Sequence, residues 1–169
     1  MAPGRLRWLP DDMRLRLRYP DPDMLILAID ESIEIAAPAD VVWRVLTDLD
    51  HYDEWNPFVV TCRSTLVPGE PIVMRVRVLP WFAQPQTETV FEHVPGRRFS
   101  YGVDGGALAP IRSRRSHDVE ALGPDRTRYT SRFALDGWAS PVVRTLLGNR
   151  LRHGFHAMTA AIGARSLAV

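Results

Sequence analysis

An arginine and a histidine two residues apart make the first case for chemistry in this chain. The run "RSRRSHDVEAL" (112–122) has the look of a strand. Residues two apart on a strand share a face, about 7 Å apart. Arg115 and His117 would then project together, with Ser113 and Val119 beside them. A buried guanidinium stays charged and can stabilise a carboxylate or enolate, and a neutral imidazole can move a proton. Tyr101, on "RRFSYGVD" (97–104), can bring a phenol to the same face. Arg115, His117 and Tyr101 are the candidate catalytic residues. The plainer alternative puts Arg115 in solvent at a sheet edge and makes His117 a satisfied core residue. A slip of one residue in register exchanges the two faces.

Other clusters carry less. "DHYDEWNPF" (50–58) packs three acids, a histidine, an amide and three aromatics into nine residues. His51, Asp53 and Glu54 read as the wet face of a one-turn helix, capped by Asp50. Asn56 precedes Pro57, which pushes it to an extended conformation where its amide can bond its own loop. Trp55 and Phe58 supply apolar area at the bend, so the stretch is expected to be a structural corner. His153 and His156 are three apart on a helix, but they fall off its apolar stripe and no third ligand is evident, so no metal site is expected. Cys62 has no evident general-base partner and reads as a small inward apolar residue. The glycines match no phosphate-loop pattern.

The elements that must position these residues follow from periodicity and punctuation. "DESIEIAA" (30–37) alternates as a strand with Ile33 and Ile35 on one face. Pro38 and Asp40 suit a helix start, and Val42, Val45, Leu46 and Leu49 recur at helical spacing beside Trp43. Six strand-like runs follow, separated by turns such as Pro68-Gly69, Pro95-Gly96 and Gly123-Pro124-Asp125. On 71–79, Ile72, Met74, Val76 and Val78 point inward. On 86–94 the register is ambiguous; on 97–104 the inward set is Phe99, Tyr101 and Val103, and on 126–136 it is Tyr129, Ser131, Phe133 and Leu135. Ser140-Pro141 opens a helix running to about residue 166, with Ser140 as its cap. Val143, Leu147, Leu151, Gly154, Met158 and Ile162 form its stripe, joined by Leu146 and Phe155. The order strand, two short helices, six strands and a long helix is α+β. A curved antiparallel sheet of six to seven strands would wrap the last helix and leave a pocket for an apolar ligand between them.

Bulk properties narrow the partners. The chain has 169 residues, enough for one domain. A net charge of +1 implies no field-driven affinity for nucleic acid or acidic membranes. All 21 basic residues are arginine. A single cysteine excludes an intrachain disulfide and a cysteine-based zinc cluster. No apolar run approaches the roughly 20 residues of a membrane span, and the start lacks a signal-peptide core. The expectation is a cytoplasmic monomer or homodimer without stable membrane insertion. Residues 1–30 carry five arginines and five aspartates, so their charge balances, and the stretch 1–29, punctuated by Pro3, Pro10, Pro20 and Pro22, holds a strictly alternating "MRLRLRY" (13–19) that reads as an added edge strand. The domain proper is taken as 30–169.

"IEIAAPADVVWRVLTDLDHYDEWNPFVV" resembles the opening of the START-like, helix-grip (SRPBCC) superfamily, and most its polyketide cyclase/dehydrase branch. The shared features are Ala37-Pro38, Val42-Trp43, Asp48, Tyr52 and Trp55-Asn56-Pro57-Phe58. "PGRRFSYGVDGG" and "GFHAMTAAI" are similar to later family patterns, so the likeness spans about 30–166. It implies a helix-grip fold and an internal cavity for a small hydrophobic, polyketide- or lipid-like molecule. It leaves two functions open, a cofactor-free cyclase or dehydratase and a non-catalytic carrier or sensor. On 86–94 the resemblance implies that Thr89, Phe91 and His93 point in. The ligand-binding candidates are His93, Tyr129, Ser131, Phe133, Phe91, Phe99 and Met158, with Trp55 as a wall at one end. Many relatives of the branch carry histidine where this chain has Arg115 and Ser131, so a role tied to those histidines does not transfer.

Overall fold

The computed structural model describes residues 27–106 and 108–169. The proposed edge strand at 13–19 lies outside them. Strand β1 (Leu27–Ile35) begins three residues before the boundary expected at residue 30. Helix α1 (Ala39–Thr47) and a 3₁₀ helix (Leu49–Glu54) follow. Then come β2 (Val59–Arg63), β3 (Pro71–Leu79), β4 (Phe82–Val94), β5 (Arg98–Val103), β6 (Arg112–Gly123) and β7 (Arg126–Asp136). Helix α2 (Ser140–Ser166) closes the described chain. The strands form one antiparallel sheet in the order β1-β7-β6-β5-β4-β3-β2, and α2 packs across its inner face. This is the helix-grip architecture.

Alternation places the core. Ile72, Met74, Val76 and Val78 are all buried, as their spacing predicts. Val42, Val45 and Leu46 bury one face of α1. Leu151, Phe155, Met158 and Ile162 do the same for α2, but Leu146 is exposed and leaves the stripe. Gly154 is where α2 comes closest to the sheet side. A Cβ there would lie 2.2 Å from the Phe58 ring, so only glycine lets the helix seat. Gly137 holds φ at +107° and leaves room for the Pro110 carbonyl, which anchors the start of α2 to the β5–β6 loop through Ala139 N–H.

Two expected caps differ. Ser140 does not cap α2 forward; its hydroxyl donates back to the Gly137 carbonyl, leaving Pro141 to start the helix. Asp50 does not cap the 3₁₀ helix either. Asp48 occupies that position and spends its carboxylate on His51 Nδ1 at 2.7 Å.

The corner at 55–58 behaves as its residue types require. Asn56 is buried, and its Oδ1 accepts from the amides of Phe58 (3.0 Å) and Val59 (2.9 Å). Tyr52 donates to the Leu46 carbonyl at 2.6 Å and ties the 3₁₀ helix to α1. His51, Asp53 and Glu54 are exposed.

Candidate functional site

Register turns the inner face of β5, β6 and β7 into rows. One row is Val103, Ser113 and Leu135; the next is Tyr101, Arg115 and Phe133; the third is Phe99, His117 and Ser131. A cavity of about 330 Å³ lies between these strands, β3–β4 and α2. The first two rows line it and the third lies behind them. Phe58, Met74, Glu88 and Phe155 add to its walls.

Arg115 is the centre of this arrangement. It is 3% exposed and its guanidinium lies 4.0 Å over the Phe155 ring. Its Nε–H donates to His117 Nε2 at 3.2 Å and its Nη2 to the Met158 sulfur at 3.4 Å. Nη1 is buried and has no partner. Among the described residues no hydrogen bond joins Arg115 to a carboxylate. A residue of the cavity wall thus keeps one buried donor that the protein itself does not satisfy.

His117 holds Arg115 from behind. Because Nε2 accepts from the guanidinium, the neutral ring carries its proton on Nδ1 and donates it to Tyr129 Oη at 2.7 Å. Burial, then the charge of Arg115, hold the imidazole pKa well below its ordinary value. Both ring nitrogens are engaged and the ring does not reach the cavity. This is the arrangement of the satisfied core histidine that the sequence left as an alternative, one row deeper than the cavity wall. Burial pushes the Tyr129 phenol up to about 12, against Arg115 and a hydrogen bond from Ser131. Tyr101 does line the cavity, and burial first of all keeps its phenol protonated far above the usual range.

Glu88 was not legible as a candidate. It lines the cavity, and burial raises its carboxyl to about 7, with the charge of Arg115 pulling the other way. The resemblance implies one uniform alternation along 86–94, with Thr89, Phe91 and His93 inward. A β-bulge between Val90 and Glu92 breaks it. Before the bulge the even positions face in; after it His93 does. Thr89 is accordingly exposed, and Phe91 turns to the outer face, where the Arg114 guanidinium lies 5.3 Å from its ring. The available signal was the β3–β4 pairing. Inward Ile72 and Met74 sit opposite Glu88 and Gln86, and directly paired residues share a face.

The other ligand-binding candidates divide by position. Phe133 lines the cavity. Phe99, Tyr129, Ser131 and Met158 are buried behind or beneath Arg115 and form its support. Phe99 stacks on His117 with centroids 4.7 Å apart. His93 is remote from the cavity and stacks on Trp43 at 5.8 Å. Trp55 is not a wall. It packs edge-on against Tyr52 at 5.0 Å, and the turn at Pro57 delivers Phe58 to the cavity instead. Cys62 is buried, with its thiol pushed up to about 12 by burial, and is inert as a nucleophile. His153 and His156 are exposed, and no group of three metal-ligating side chains occurs among the described residues.

A curled sheet gripping one long helix around a partly apolar cavity defines a helix-grip ligand-binding domain. Residues 27–163 match the family described as polyketide cyclase / dehydrase and lipid transport, and the chain belongs to that family. Solved structures share the fold. An aromatase/cyclase from Streptomyces sp. R1128 aligns over 83% of this chain and 93% of its own, with a TM-score of 0.67 and 16% identity. A START superfamily protein from Mycobacterium smegmatis aligns over 80% and 96%, with a TM-score of 0.57 and 18% identity. Norcoclaurine synthase from Thalictrum flavum, in complex with dopamine and hydroxybenzaldehyde, aligns over 84% and 87%, with a TM-score of 0.62 and 18% identity. No curated protein sequence matches the chain significantly. No helix among the described residues is long and apolar enough to cross a membrane.

Proposed function

We propose that the cavity binds a small apolar molecule carrying a carbonyl group and catalyses its cyclisation or dehydration by acid/base chemistry. The observation that carries this reading is the pairing of an unpartnered Arg115 Nη1 with a Glu88 carboxyl raised to about 7 on the walls of one cavity. A carboxyl poised near neutral pH can both take and return a proton. A fixed guanidinium can hold the negative oxygen that forms when it does.

The steps balance without a further reactant. Ionised Glu88 takes a proton from the carbon next to a carbonyl, and the C–H electrons form an enolate whose oxygen faces Arg115. The enolate carbon attacks a second carbonyl of the same molecule, a C–C bond forms, and Glu88 returns its proton to the resulting alkoxide. Removal of a second α-proton with loss of the hydroxyl as water completes a dehydration. Tyr101, protonated throughout, offers a hydrogen bond to either oxygen. Arg115, Glu88 and Tyr101 are the catalytic residues in this scheme; His117 and Tyr129 position Arg115. The cavity is at the small end of the roughly 300–1,000 Å³ of ligand pockets, which favours a compact molecule over a two-chain lipid.

The competing reading is a non-catalytic carrier. The family description, which joins cyclases with lipid transport, keeps it open. Native mass spectrometry of freshly purified protein should reveal a bound apolar passenger. Incubating that passenger with the protein in heavy water then reads the first step alone. Exchange of an α-proton for deuterium, lost in Glu88→Gln, is the expected result. A passenger that binds but never exchanges would make the protein a carrier.

A further inference from the structure

Large apolar side chains are exposed on three segments that flank the cavity, and neither ligand binding nor proton transfer uses them. Trp81 (76% exposed) and Phe82 sit at the tip of the β3–β4 hairpin. Leu108 (90% exposed) lies on the β5–β6 loop. Trp138 (70% exposed), Val142 and Leu146 open α2. Each is a sequence neighbour of a cavity wall: Val78 and Gln84 on the hairpin, Val103 and Ile111 beside the loop, Val143 and Leu147 on the helix. The segments also touch. The Pro110 carbonyl accepts from Ala139 N–H at 3.0 Å, and Arg150 lies 5.7 Å over the Trp81 ring. The six side chains therefore form a rim around one end of the cavity.

The helix beside the rim carries charge of one sign, while the β5–β6 loop carries the exposed Asp104. Helix α2 contains Arg144, Arg150, Arg152 and Arg165 and no acid in 27 residues. Arg144, Arg150 and Arg152 are exposed next to the apolar rim. Large apolar side chains with tryptophan among them, bordered by cations, match the boundary between acyl chains and anionic headgroups. An isolated patch of this kind on a protein's surface marks an interaction site.

We infer that this rim docks reversibly on an anionic lipid surface, with Trp81, Leu108 and Trp138 entering the headgroup region and the helix arginines meeting lipid phosphates. Docking opens the cavity onto the acyl phase, so an apolar ligand passes between bilayer and protein without crossing water. A protein partner seated over the same rim would instead close the cavity.

Co-sedimentation with phosphatidylcholine vesicles, with and without a minority of phosphatidylglycerol, tests the rim without any ligand. Its outcome is therefore independent of whether the cavity is catalytic. The wild-type chain should pellet with the anionic vesicles. Trp81→Ala/Leu108→Ala/Trp138→Ala should weaken that binding about tenfold or more, since three large apolar side chains no longer insert. Arg144→Gln/Arg152→Gln should reduce the preference for anionic vesicles. The substituted side chains are exposed, and an unchanged circular dichroism spectrum and melting temperature will check that the variants fold. Absence of wild-type binding would overturn the inference, as would undiminished binding by the triple variant. A wild-type dimer that the triple variant splits, with no vesicle binding, would assign the rim to a second copy of the chain and overturn it equally.

Discussion

Two regions of this molecule are about equally rich in ionisable and aromatic residues, and the proposed chemistry uses only one. The corner from Asp48 to Phe58 gathers its groups within one stretch of chain. Most of its polar atoms serve that same stretch: Asn56 Oδ1 accepts from two amides just beyond it, Tyr52 bonds Leu46, and Asp48 bonds His51. Glu54 pairs with Arg165 on α2, and the buried Asn56 Nδ2 has no partner. The cavity wall draws Glu88, Tyr101 and Arg115 from three strands, half-buries the first, buries the other two, and leaves a donor of Arg115 unused. Density of reactive residue types in sequence is thus a poor guide. Burial of ionisable groups together on one cavity wall is the better one, because desolvation is what shifts a carboxyl toward neutrality.

That contrast can be broken by substitution. The largest effect is expected from Glu88→Gln, which removes the proton acceptor but not the shape of the cavity. Turnover or α-proton exchange should fall by roughly 10²–10⁴-fold, the usual contribution of a general base, with ligand binding retained. Retention of full exchange would remove Glu88 from the mechanism.

At the corner the effect should appear in stability instead. Asn56→Ala leaves the buried amides of Phe58 and Val59 without their acceptor, at roughly 1–3 kcal/mol for each. Chemical denaturation should show a loss of about 3 kcal/mol. A loss well below that would mean that water takes over the bonds.

A subtler test separates two buried groups by pH. His117 has a lowered pKa in the fold, so the unfolded chain takes up its proton first, and stability is lost as pH falls below the ordinary 6.5. Glu88 has a raised pKa, so the fold holds its proton longer, and stability is lost as pH rises from the ordinary 4.5 through about 7. Between 4.5 and 6.5 the two slopes oppose each other. Glu88→Gln should expose the His117 slope, with stability falling toward acid across that window. Denaturation midpoints measured across the window will show it, and an unchanged profile would mean that Glu88 titrates normally.

The smallest effect belongs to His51→Ala. It removes an exposed histidine whose pKa is raised by its hydrogen bond to Asp48, and it should leave turnover and melting temperature unchanged. A loss of turnover would return the corner to the site.

Much of this was legible in the sequence, for identifiable reasons. Strict alternation on 71–79 and 126–136 gave the inward residues directly, since a strand has a period of two and one buried face. The Trp-Asn-Pro-Phe corner needed only local chemistry. Pro57 fixes the conformation before it, and an Asn side chain reaches amides two and three residues on. Alternation on β6 left Arg115 either inward or in solvent at a sheet edge, and pairing with β5 and β7 is what buries it.

Tertiary structure decided what local pattern does not encode. The bulge between Val90 and Glu92 changes the phase of one strand halfway, so a reading that placed His93 inward lost Glu88. Depth along the sheet is set by pairing register, which puts Arg115 at the cavity and His117 one row behind it. Exposure of the apolar rim depends on where a hairpin, a loop and a helix start converge. Residue types and their period thus determined the fold and the faces of its strands, because those follow from neighbours along the chain. Which groups meet, and how deeply, was decided only by pairing between strands far apart in sequence, because burial and its effect on charge belong to the assembled sheet.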